Sequence, residues 1–221
     1  MNSRYRLQRN WENLQRATFD GVGKYNIPEI YPADTDCDLW VGFNFAKTCE
    51  DFDIHGVHFF VDDYQFNRVW TDPDRYTLML KKFRAVLSPD FSTYIDFPMA
   101  VQIYNHYRKH WVGAYWQLNG LTVIPTISWG DERSYEWCFD GEPKNSTVAL
   151  SSVGIMADPE ARALFISGYQ EMLSRLAPTR IILQGELPEE CSTDGIEFIR
   201  IESFQKRLRE LKDAESSKRD S

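Results

Sequence analysis

The sequence predicts an α/β fold of repeated strand–helix units, and three observations carry that expectation. Short apolar, β-branched or aromatic runs recur from Cys37 onward, segments with helical spacing separate them, and small polar residues follow the runs. Strands joined by helices run largely parallel with right-handed crossovers. Two architectures fit: a small or incomplete TIM-like (β/α) barrel, and an open doubly wound parallel sheet. The repeated polar strand ends favour the barrel.

The runs read as strands are Leu39–Phe43, Val57–Val61, Ala85–Leu87, Thr122–Ile127, Thr147–Leu150, Arg180–Leu183 and Phe198–Ile201. Asp72-Pro73 offers an N-cap and a first-turn proline to a helix whose apolar face is Tyr76, Met79, Leu80 and Phe83. Phe97-Pro98 opens a longer helix through Val101, Tyr104, Trp111, Tyr115 and Leu118, with Gly120 placed to cap its end. Asp158-Pro159-Glu160 combines an acceptor side chain, a pre-set φ and a negative first turn, and Pro178 stops that helix. A last helix is expected from Ser203 to about Leu211. Residues 1–36 read as an N-terminal arm, 37–211 as one α/β domain and 212–221 as a disordered polar tail.

The net charge of -8 argues against nucleic acid as the principal ligand, since no broad positive footprint is available for a phosphate backbone. The exception is local: Arg4, Arg6, Arg9, Arg16 and Lys24 against Glu12 and Asp20 make residues 1–24 a segment of +3. This stretch reads as a solvated helical lead-in whose Arg stems cover the domain, or as an arm that touches a phosphate or an acidic neighbour. Cys37, Cys49, Cys138 and Cys191 stand at wide spacings without a C-x-x-C pair, as expected of free thiols in a reducing cytosol. No signal peptide or apolar run of membrane-spanning length is seen, so a cytoplasmic location without membrane attachment is expected.

Ligands of both architectures bind at the carboxyl ends of the strands, which makes the residues after each apolar run the candidates. Asp62-Asp63, Ser88-Pro89-Asp90, Ser128-Trp129-Gly130-Asp131, Ser151-Ser152 and Gln184-Gly185-Glu186 occupy these positions. A rim of carboxylates can divide acid and base roles, hold a divalent cation such as Mg²⁺, or hydrogen-bond sugar and amine groups beside a flat aromatic surface. Asp62, Asp90 and Glu186 are the catalytic candidates. Asp63, Trp116, Trp129, Asp131 and Ser152 are the candidates for ligand binding. The same residue types also cap helices and make Asx-turns without further function, and Asp96 reads as such a helix-start residue.

His106 and His110 are spaced i, i+4, but the intervening Tyr107-Arg108-Lys109 lacks the Glu of a zinc-protease motif. His55 and His58 are placed at the start of a strand, away from a strand-end site. Phosphate-loop, dinucleotide and nucleophile-elbow motifs are absent from the sequence, and Ser151-Ser152-Val153-Gly154 is the nearest approach to an anion nest.

One set of segments carries a resemblance. His58-Phe59-Phe60-Val61-Asp62-Asp63-Tyr64-Gln65-Phe66 with Trp70, Leu87-Ser88-Pro89-Asp90-Phe91-Ser92, Gln117 to Gly120, and Val123-Ile124-Pro125-Thr126 with Trp129 occur in this order. Over roughly residues 37–190 the chain resembles an uncharacterised family of bacteria, phages and mobile elements, domain of unknown function 4417. The resemblance implies a phage or mobile-element context and assigns no catalytic residue.

Two functional readings follow. In one, the acidic rim binds a small polar or sugar-bearing ligand in a hydrolase-like enzyme, with or without a divalent cation. In the other, the protein is a non-catalytic accessory that binds a host or element-encoded protein through an aromatic surface and the basic arm.

Overall fold

The structure, a computed structural model, describes residues 12–202. The basic residues before Glu12, the helix expected from Ser203 and the tail expected from residue 212 lie outside the described residues. The described part opens not as a helix but with a turn over residues 12–16, followed by a small antiparallel hairpin of β1 (Gly21–Val22) and β2 (Ile27–Pro28). Asn26 turns it with a φ of 52°, a left-handed conformation that Asn tolerates better than most residues. Ile27 and Ile30 are buried, so this part of the arm packs against the body rather than lying in solvent.

The body is α/β with parallel sheets. The first sheet holds β3 (Leu39–Gly42), β4 (His55–His58), β5 (Ala85–Leu87) and β6 (Val123–Ile124), in that spatial order and all parallel. Between β4 and β5 run three short helices, α1 (Asp63–Phe66), α2 (Arg68–Thr71) and α3 (Pro73–Leu80); α4 (Met99–Leu118) links β5 to β6. The second sheet is β7 (Thr147–Ser151), β8 (Arg180–Gln184) and β9 (Glu197–Ile201), again parallel and in sequence order, with α5 (Pro159–Leu176) between β7 and β8.

A parallel bridge, Thr126 with Ala149, joins the two sheets. Pro125 explains why the expected strand Thr122–Ile127 shrinks to two residues: without an N–H it interrupts the ladder, while its carbonyl accepts from the Ala149 amide at 2.8 Å. The Ile127 amide then donates back to the Ala149 carbonyl at 2.8 Å. Seven parallel strands thus follow one another in chain order. The outermost two, β3 and β9, are not paired with each other among the described residues, so barrel closure is not shown.

Burial explains the strand assignments. Trp40, Leu87, Ile124, Ala149, Ile182 and Ile201, drawn from strands of both sheets, pack into one apolar cluster on one side. The opposite side packs on α2, α3 and α4 through Val57, Trp70, Val86 and Trp111, and on α5 through Val148, Tyr169, Met172 and Ile181. The β4 strand begins and ends earlier than expected, with His55 first and His58 last. His58 therefore stands at a carboxyl end, not at the strand start to which the sequence pattern assigned it.

Helix starts follow local chemistry. Pro73 occupies the first turn of α3, although the Asp72 side chain makes no cap bond. The Asp158 carboxylate accepts from the amides of Glu160 and Ala161 at the start of α5, two of the donors that a helix leaves unpaired.

Candidate functional site at the strand ends

A cavity of about 850 Å³ opens at the carboxyl ends of β4 to β8. Strand alternation and the short loops that follow bring Asp62, Asp63, Asp90, Trp129, Ser151 and Gln184 to its wall. These residues span the chain from 62 to 184, so only the parallel arrangement makes them neighbours. Its second wall is the N-terminal part of α5, including Asp158, Glu160 and Phe165.

The three aspartates differ in their surroundings. Asp62 is exposed and accepts from the Gln65 amide group at 3.2 Å. Asp63, the first residue of α1, is fixed by Ser92, whose hydroxyl and main-chain amide donate to its two oxygens at 2.8 and 3.2 Å. Ser92 is itself anchored, because its carbonyl accepts from Asn105 of α4 at 2.6 Å. Asp90 differs from both, since its carboxyl is half-buried and accepts no hydrogen bond from the described residues. Burial pushes it up to about 6; the Lys109 ammonium pulls the other way, and the Asp63 charge adds to the rise.

Trp129 lies half-buried on the cavity wall, its ring 5.5 Å from Phe165 and its indole N–H donating to the Leu164 carbonyl at 3.3 Å. Gly168 is the reason it fits. A Cβ at that position of α5 would stand 2.1 Å from the Trp129 indole nitrogen, so only a glycine lets the ring lie on the helix.

Other sequence candidates fall elsewhere. Asp131 caps a short 3₁₀ turn through the Arg133 amide and forms an ion pair with the Arg133 guanidinium at 2.6 Å. Glu186 pairs with Arg200 at 2.8 Å on the surface. Trp116 is fully buried in the core, 5.5 Å from the Phe59 ring, and presents no face to solvent. Ser152 is buried behind the wall, its hydroxyl donating to the Gln184 carbonyl at 3.2 Å. Asp131, Glu186, Trp116 and Ser152 are therefore not part of the cavity lining.

A buried polar network joins His110, which the sequence reading noted with His106 for their i, i+4 spacing, to Lys109 and Glu142, which it did not identify. Lys109 is buried and donates to the Thr126 carbonyl at 2.7 Å and to Glu142 Oε1 at 2.7 Å. His110, also buried, meets the same Glu142 oxygen at 2.9 Å. Gln102, Asn105, His106 and Lys109 recur on one face of α4 at intervals of three and four, and all four are buried. That polar stripe inside an otherwise apolar helix face was the available signal. Glu142, in a loop between Gly141 and Pro143, had none.

His58 at the end of β4 is buried, and burial pushes it down to about 4. Among the described residues its Nδ1 has no hydrogen-bond partner. No helix among the described residues is long and apolar enough to cross a membrane.

Comparison with known proteins gives context rather than chemistry. No solved structure matches the chain. It is 38% identical over 174 residues to the "Gene 1 protein" of Mycobacterium phage L5, covering 78% of this chain and 76% of that protein. The "Gene 1 protein" of Mycobacterium phage D29 is likewise 38% identical over 174 residues, covering 78% of this chain and 64% of the phage protein. The model of the family described as Domain of unknown function (DUF4417) matches residues 19–202, most of the chain, and the protein therefore belongs to that family.

Proposed function

We propose that the strand-end cavity is the binding site of a small polar ligand in a hydrolase-like enzyme, with Asp90 as the proton-transferring group. In this reading the seven strands curl as an incomplete barrel around the shared apolar cluster, and the cavity is its mouth. The observation that carries it is the Asp90 carboxyl: half-buried on the wall of a ligand-sized cavity, without a hydrogen bond from the described residues and raised to about 6. Such a group exchanges its proton near neutral pH, as a general acid or base must. Asp63 supplies the contrast, because Ser92 engages both of its oxygens. Two carboxyl groups in unlike surroundings are the arrangement that divides acid and base roles.

The rim supports polar contacts more readily than a metal. Among the described residues, no three rim carboxylates are gathered within reach of one ion; the three-donor cluster that is found lies elsewhere. Trp129 and Phe165 offer an apolar flank against which a sugar-like ring can rest.

The test combines titration and turnover. Carboxyl ¹³C chemical shifts of labelled aspartate should show Asp90 titrating near pH 6, and a panel of chromogenic glycosides, esters and phosphodiesters should show turnover that Asp90→Asn abolishes. An Asp90 midpoint near 4, or turnover that Asp90→Asn leaves unchanged, would refute the assignment.

A further inference from the structure

The buried cluster of His106, His110 and Glu142 is distinct from the strand-end cavity. It lies between α4, the loop after Phe139 and the β2 strand. One donor atom from each of the three residues stands within 4.8 Å of the others. All three side chains are more than nine-tenths buried.

The hydrogen bonds around the imidazoles are those of metal ligands. His110 Nδ1 faces the Pro28 carbonyl at 2.8 Å, and His106 Nε2 faces the Asp140 carbonyl at 3.1 Å. A carbonyl can only accept, so each of these ring nitrogens carries a proton, and in the neutral imidazole the opposite nitrogen is then a lone pair. For His106 that lone pair is Nδ1, buried and without a partner among the described residues. For His110 it is Nε2, which meets another acceptor, Glu142 Oε1, at 2.9 Å. Glu142 Oε2 is also buried without a hydrogen-bond partner among the described residues. One donor atom of each histidine and a carboxylate oxygen thus gather within 4.8 Å, and histidines whose second nitrogen donates to a main-chain carbonyl are oriented as ligating histidines are.

Gly141 is fitted to this arrangement. Its φ is +79°, and a Cβ there would lie 2.5 Å from the Pro28 carbonyl oxygen and 2.7 Å from His110 Nδ1, breaking the contact that orients the ring.

We propose that His106, His110 and Glu142 form a buried site for a divalent transition metal of the Zn²⁺ class, fixing the hairpin and the loop after Phe139 to α4. Two nitrogens and one oxygen suit zinc, whereas Mg²⁺ and Ca²⁺ favour all-oxygen sets. Bonds of about 2.0–2.1 Å at a tetrahedral centre put ligand atoms about 3.3 Å apart, a spacing that lies within the 4.8 Å over which the three donor atoms are gathered. Lys109 shares Oε1 but has the Thr126 carbonyl as a second acceptor, which leaves Oε2 available to a metal.

The site is closed to solvent, so loading accompanies folding. The full-length chain should be refolded from denaturant with Zn²⁺ or with EDTA, desalted, and its metal content measured by mass spectrometry. About one zinc per chain and a higher melting temperature in the zinc arm are expected, with His106→Gln and Glu142→Gln each lowering retained zinc at least fivefold. Native wild-type protein holding under about a tenth of a zinc per chain would mean that a proton on His110 settles the cluster instead, and would overturn the proposal. Retention by His106→Gln equal to wild type would overturn it too. Should the variants fail to refold, wild type refolded with Co²⁺ decides: tetrahedral ligand-field absorption supports the site, and its absence from a cobalt-treated folded protein counts against it.

Discussion

Asp90 and His58 stand at neighbouring strand ends, and burial moves them in opposite senses, Asp90 up from 3.8 to about 6 and His58 down from 6.5 to about 4. The folded chain keeps a proton on Asp90 that the unfolded chain has already released, so the Asp90 contribution to stability falls as pH rises from about 4 to 6 and stays low above. For His58 the unfolded chain takes up the proton first, and stability is lost as pH falls from about 6.5 through 4. The two senses oppose each other between pH 4 and 6. Asp90→Asn is therefore expected to raise stability at pH 7.5 by about 1–3 kcal/mol, to change it little at pH 3.5, and to steepen the loss below pH 6. Urea unfolding across this range checks it; an unchanged pH profile would show that Asp90 ionises in the fold as it does in water. At this scale the sequence located Asp62, Asp63, Asp90 and Trp129 because position after a strand depends only on local pattern. It could not separate them from Asp131 and Glu186, since an adjacent arginine becomes a partner only when the chain brings its guanidinium within reach.

The α5 helix shows how an element shapes the cavity. Its start is legible in Asp158-Pro159-Glu160, and the structure has the Asp158 carboxylate accepting from the Glu160 and Ala161 amides. Asp158→Ala should cost about 1 kcal/mol and fray the first turn, where Glu160 and Ala161 line the cavity; amide exchange at these residues measures it. Gly168→Ala tests the part of the same helix on which Trp129 rests. On helix propensity alone the substitution should gain up to about 1 kcal/mol, but the new Cβ would stand 2.1 Å from the Trp129 indole nitrogen. Overpacking of this kind costs about 1–3 kcal/mol, so net destabilisation with a shift in Trp129 emission is expected. A more stable variant with unaltered fluorescence would show that the ring moves freely. Elements with strong end signals, such as α3, α4 and α5, were legible. The hairpin of β1 and β2 and the short helices α1 and α2 were not, because two-residue strands and four-residue helices are too brief for periodicity.

Across the whole molecule, the two parallel sheets meet at a narrow seam: the Thr126–Ala149 bridge and the main-chain bonds on either side of Ala149. Lys109 reinforces it from α4, since its ammonium donates to the Thr126 carbonyl at the seam while pairing with Glu142 at 2.7 Å. No pattern in the sequence joins Lys109 to Glu142, because the pair exists only once the loop after Phe139 folds back over the helix. A buried charge left without its partner is far more costly than the pair is favourable. Lys109→Met is accordingly expected to destabilise the protein by about 3–5 kcal/mol, whereas Lys109→Met with Glu142→Leu should lose clearly less than the two single changes combined. Measured in EDTA, so that metal binding does not enter, urea unfolding gives this coupling. Amide exchange at Ile127 and Ala149 should rise in Lys109→Met beyond the increase at β4, since the seam loses its anchor while the first sheet keeps its own ladder. Additive single changes, with exchange raised uniformly through both sheets, would show that the seam is held by the strands alone.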